Sequence, residues 1–71
     1  MSFYEQLIIK FTGCDIVDAP VLEELMRIQH NGVLDGLSEN CFRQSAILAM
    51  KNLRLLRDEN PDWSPFSSEC T

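Results

Sequence analysis

LSENCFRQSAILAMKNLRLLRDENP, residues 37–61, is the stretch that decides the fold. Ser38 is a good N-cap for a helix, and Leu37 before it can pack on Phe42 as a hydrophobic staple. Phe42, Ala46, Ala49, Leu53 and Leu56 follow at spacings of four, three, four and three, the seam of a helix–helix contact. Cys41, Leu48 and Leu55, each seven apart, form a second stripe that lies roughly 120° round the same cylinder at about 100° per residue. A helix with two apolar faces needs two surfaces to pack on. A chain of 71 residues offers few, so the pattern predicts a homodimer joined through Phe42, Ala46, Ala49, Leu53 and Leu56.

Upstream, Asp18-Ala19-Pro20 reads as a helix start, with Asp18 as N-cap and the proline tolerated in the first turn. Val21, Leu22, Leu25 and Ile28 are the expected buried stripe, with Met26 on its flank, and Glu23 and Glu24 suit the positive end of the dipole. Asn31-Gly32 ends this helix, and Val33 can fold back onto Ile28. Val33 to Gly36 is a short loop, and the long helix that follows stops before Pro61. Together the two helices form a helical hairpin.

The N-terminal segment is the third element. Ser2-Phe3-Tyr4-Glu5 has capping-box spacing, Phe3, Leu7, Ile8 and Phe11 recur at helical intervals, and Gly13 supplies a stop. Residues 3–12 are therefore a short amphipathic helix; the rival reading is a strand, since Leu7, Ile9 and Phe11 alternate with Ile8 and Lys10. The expected organisation is all-α: a helical domain over residues 1–60 and a flexible Pro/Ser/aromatic acidic tail over 61–71.

Composition narrows the function. The net charge is −5, but residues 1–57 carry seven acids against six bases, and residues 58–71 carry four acids and no base. The body is nearly neutral and the acidity belongs to the tail, so a basic nucleic-acid footprint is absent. No apolar run approaches the roughly 18 residues needed to span a bilayer, and Leu7-Ile8-Ile9 follows Glu5 rather than a basic region, so it is no signal peptide. Cys14, Cys41 and Cys70 are odd in number, far apart and in no C-x-x-C pair, which predicts neither a disulfide framework nor a metal site and points to a cytoplasmic protein. Cys41, among apolar positions, reads as a small buried hydrophobe.

Candidate chemistry is sparse. His30 is the only histidine and sits where an imidazolium suits a helix C-terminus. Glu23 and Glu24 are adjacent and point to different sides, so they are no acid/base pair. Gly13, Gly32 and Gly36 fall singly at helix ends or turns, so no phosphate loop exists. No catalytic residue and no cofactor is expected, and the chain reads as a non-enzymatic protein binder. Arg43, Arg54 and Arg57, with Lys51 adjoining, cluster on one side of the long helix and could dock an acidic partner. Trp63 and Phe66 could anchor in a pocket on another protein or fold back onto an undersized core. The competing class is a DNA-binding helix-turn-helix regulator. Against it, the connection exceeds the usual three- or four-residue turn, and the second helix begins with Glu39.

The opening SFYEQLIIKFTGCDI and the helix LSENCFRQSAILAMKNLRLLRDENP resemble the small helical proteins that temperate phages of Pseudomonas make early in infection, in size and layout the quorum-sensing anti-activator and twitching-motility inhibitor group. The resemblance spans most of the chain and carries no site residue with it. It implies a dimeric inhibitor that binds a host transcriptional activator of the quorum-sensing type, with a pilus-assembly ATPase as a second target.

Overall fold

The computed structural model describes residues 2–63 and Pro65. It is all-α, with α1 (Phe3–Thr12), α2 (Ala19–Gln29) and α3 (Glu39–Glu59). Each helix packs against the other two. No strand occurs among the described residues, and no helix there is long and apolar enough to cross a membrane.

Local chemistry sets the helix ends. The Ser2 hydroxyl accepts the Glu5 N–H at 3.1 Å while the Glu5 carboxylate accepts the Ser2 N–H at 3.1 Å, a reciprocal box that satisfies two donors an isolated helix start would leave open. Gly13, at φ 71°, closes α1 and donates to the Ile9 carbonyl at 2.8 Å. Residues 3–12 are thus a helix, not the alternative strand. Ser38 begins α3 in extended conformation and its hydroxyl accepts the Cys41 N–H at 3.2 Å. Leu37 packs against the core beside Phe42, where the staple was expected.

Asp18 departs from its expected part. Its backbone is already helical (φ −87°, ψ −18°), and it makes no side-chain cap. An N-cap needs extended backbone to turn its oxygen onto the following N–H groups. The carboxylate instead meets Arg57 Nη2 at 3.0 Å, tying the start of α2 to the end of α3.

Ala19, Leu22 and Met26 form the buried face of α2, while Ile28 is 62% exposed. Met26 and Ile28 are two residues apart, about 200° on a helix, so one had to face outward. Val33 is exposed as well, so the two residues expected to close the end of α2 contribute nothing to the core. That end is held by polar contacts. Asn31 and Gly32 both take positive φ, the Gly32 N–H reaches the Arg27 carbonyl at 2.6 Å, and Arg27 Nη1 donates to the Gly32 carbonyl at 3.2 Å.

The core is made of Ile8 from α1, Leu22 and Met26 from α2, Leu34 from the loop, and Phe42, Ala46, Ala49 and Leu53 from α3. This corrects the expected dimer seam. Phe42, Ala46, Ala49 and Leu53 are 3% exposed or less within one chain, and Leu56 is half-buried. The alanines leave room for neighbouring backbones, and α1 together with α2 occupies the seam within the one chain. Tyr4 stacks on Phe42 with ring centroids 5.7 Å apart, and Phe11 tilts against Phe42 at 6.2 Å. Trp63 is half-buried against the core, its backbone N–H bonded to the Asn60 carbonyl at 2.9 Å. The expected flexible tail otherwise lies mostly beyond the described residues, as do Phe66 and Cys70.

Candidate functional site

With the seam inside, the second stripe of α3 is what the fold leaves uncovered. Leu48 is 49% exposed, Leu55 64% and Ile47 38%, and Cys41, expected to be buried, is exposed beside them. The reason is angular. Cys41, Leu48 and Leu55 lie roughly 120° from the seam, and α1 and α2 do not extend that far round the cylinder. Gln29 and His30 from the end of α2 and Leu37 from the loop face this stripe across a shallow groove of about 620 Å³.

Charge along this part of α3 is one-sided, although only Lys51 lies on the groove itself. From Asn40 through Arg57 the chain has four bases and no acid. Arg57 is paired with Asp18, and Arg43 donates to the Asn40 side chain at 3.1 Å. Arg54 and Lys51 are exposed and make no ion pair among the described residues. The predicted cluster of Arg43, Arg54 and Arg57 therefore stays on one helix but divides: Arg57 braces the fold, while Arg43, Arg54 and Lys51 face solvent. Trp63 turns back to the core rather than joining them.

Ser45 is the feature that reading the sequence did not single out. It is 8% exposed in the middle of α3, with its hydroxyl 2.9 Å from His30 Nε2 and 3.2 Å from Gln29 Oε1. A serine beside a histidine suggests a nucleophile and base. The hydrogen-bond directions oppose it. The one hydroxyl proton goes to Gln29, so the imidazole donates to serine rather than accepting from it. Around a mid-helix serine the backbone N–H groups are engaged within the helix, so none is available as an oxyanion hole. Gln29, His30 and Ser45 satisfy one another and fix the end of α2 on α3. A serine next to Ala46 of the apolar seam is ordinary in a helix, and only the crossing of α2 reveals its partners.

At the other end, the Tyr4 hydroxyl donates to Asp35, linking α1 to the α2–α3 loop. That bond to the carboxylate raises the phenol above its ordinary titration range, with desolvation and the negative charge of Asp35 adding to it. Arg27 Nη2 meets Glu23 at 2.7 Å, and this bond holds the guanidinium still more firmly protonated. No group of three His, Cys, Asp or Glu side chains converges on a metal-sized site among the described residues.

No known protein family matches the chain, and no curated protein or solved structure is detectably similar to it.

Proposed function

We propose that this protein is a non-enzymatic regulator that inhibits a larger protein by covering part of its surface with the outer face of α3. The observation that carries this reading is the exposed Cys41–Leu48–Leu55 stripe, with Lys51 the one charged side chain on the groove beside it. Apolar side chains left out of a core and bordered by one sign of charge mark a contact surface. The complementary surface is an amphipathic helix carrying Asp or Glu at its edges, the helix-against-helix mode of recognition. A quorum-sensing transcriptional activator, the target class implied by the sequence resemblance, is the first to try.

A second copy of the chain is the rival occupant, as the homodimer expectation requires. Pairing two copies of this face would bring no acidic side chain to Lys51, the one charged residue on the groove, which disfavours it. The test is capture of a purified activator by the tagged chain, with Leu48→Ser/Leu55→Ser and Lys51→Glu variants in parallel, and light scattering of the wild type alone. Loss of capture in both variants, from a chain that scatters as 8.2 kDa, supports the reading. Equal capture by both variants refutes this face, and a wild-type dimer that Leu48→Ser/Leu55→Ser dissociates assigns the stripe to self-association.

One observation favours nucleic acid instead. Asn40, Arg43 and Gln44 are all exposed in the first turns of α3, and these residue types read base edges in a major groove. Against it stand Glu39 beside them and nine residues, His30–Ser38, between α2 and α3. Salt-sensitive submicromolar binding to a duplex would promote this alternative.

A further inference from the structure

We propose that the cleft between α1, the α2–α3 loop and the first turn of α3 binds an arginine side chain presented on an exposed peptide segment of a partner. Phe3, Tyr4, Phe11 and Phe42 wall this cleft, and it encloses about 590 Å³, within the range of sites that hold small ligands. Four of the chain's six aromatic residues thus meet in one place. Consecutive ring centroids, Phe3 to Tyr4 to Phe42 to Phe11, are 5.8, 5.7 and 6.2 Å apart.

The only charged side chains on the lining are Asp35 and Glu39. Neither makes an ion pair among the described residues. Asp35 takes the Tyr4 hydroxyl on one oxygen, and Glu39 is exposed at the start of α3. Ring faces and carboxylates together select a flat cation: a guanidinium stacks on the one and donates a fork of N–H groups to the other. An acidic ligand would meet like charge, and a neutral apolar one would desolvate two carboxylates without return.

The chain's own cations already favour these rings. The Arg27 guanidinium lies 5.7 Å from the Tyr4 ring centre and the Lys10 ammonium 6.0 Å from that of Phe11. Neither lines the cleft, and Arg27 is committed to Glu23 and the Gly32 carbonyl. Arg43, near Glu39, is bonded to Asn40 and also lies off the lining. Leu37 is the one residue shared with the groove on the outer face of α3. The arginine site otherwise rests on different residues and stands if the reading of α3 fails.

The test is an amide chemical-shift titration of the full chain with acetyl-Gly-Arg-Gly-amide, against the same tripeptide carrying citrulline, the neutral isostere. Saturable shifts centred on Phe3, Tyr4, Asp35 and Glu39 at millimolar peptide, at least about tenfold weaker with citrulline, are expected. Glu39→Gln and Phe3→Ala alter exposed side chains, so the fold is retained, and each should weaken binding several-fold. No saturable shift up to about 20 mM peptide, a weakness beyond any useful contact, overturns the proposal. Equal binding of citrulline, or shifts centred on Ile47 and Leu48, overturns it as well.

Discussion

The inner and outer faces of α3 both carry apolar side chains at helical spacing, yet one is the core and the other meets water. Leu53 is 2% exposed and Leu55, two positions on, is 64% exposed. Hydrophobicity does not separate them. What does is which side of the cylinder α1 and α2 reach, and they reach the side where alanines at 46 and 49 allow close approach. An apolar stripe thus has no fixed meaning until its neighbours are placed.

The contrast is most directly broken by truncating each face in turn. Leu53→Ala should destabilise the fold by about 2–5 kcal/mol, the loss of buried methyl groups plus a cavity. Leu55→Ala should change stability by no more than about 0.5 kcal/mol. Urea unfolding followed by circular dichroism checks both, and similar losses at the two sites would mean that Leu55 is covered in solution. Trp63 gives the next effect. Because it packs on the core, Trp63→Ala should lower stability by about 1–3 kcal/mol, read from the same curves. No change would place Trp63 among the outward contacts, with Leu55.

Smaller effects follow at the polar ties. Arg57 and Asp18 are 41% and 22% exposed, so Asp18→Asn should cost under about 1 kcal/mol, shrinking further in high salt. A larger loss would make Arg57 a structural partner of the inner face rather than a brace at its rim. The smallest effect is spectroscopic. Tyr4 is the only tyrosine, and its phenol should titrate above the usual value of about 10, with Asp35→Ala lowering it toward that value. Since the folded pKa is the raised one, the stabilisation it represents is complete below the unfolded value and is lost as pH rises through the folded one. Absorbance titration of wild type and variant decides it.

Much of the fold was legible because it rests on neighbours in sequence. Ser2 with Glu5, Ser38 and Gly13 act within four residues of themselves, and each behaves as its local chemistry dictates. What failed depended on distance along the chain. Asp18 has N-cap composition, but Arg57 thirty-nine residues away claims its carboxylate. Of the expected stripe Val21, Leu22, Leu25 and Ile28, only Ile28 faces outward, while Met26, expected on the flank, is fully buried, and the positions of α1 and α3 make that choice. The same holds for the site. Periodicity marked both stripes of α3 but not which one another helix would cover, and Ser45, Tyr4 and Asp35 find their partners only once the helices cross.

Trp63 follows α3 at its C-terminal end, whereas Tyr4 leans on Phe42 near its N-terminal end. The intervening helix of 21 residues is about 31 Å long. Since these are the sole tryptophan and the sole tyrosine, the molecule carries a native optical reporter at each pole and needs no label. Superimposable denaturation curves from the two would mean that the bundle melts as one cooperative unit. An earlier transition at tryptophan would reveal fraying from the C-terminal pole while the aromatic ladder still holds.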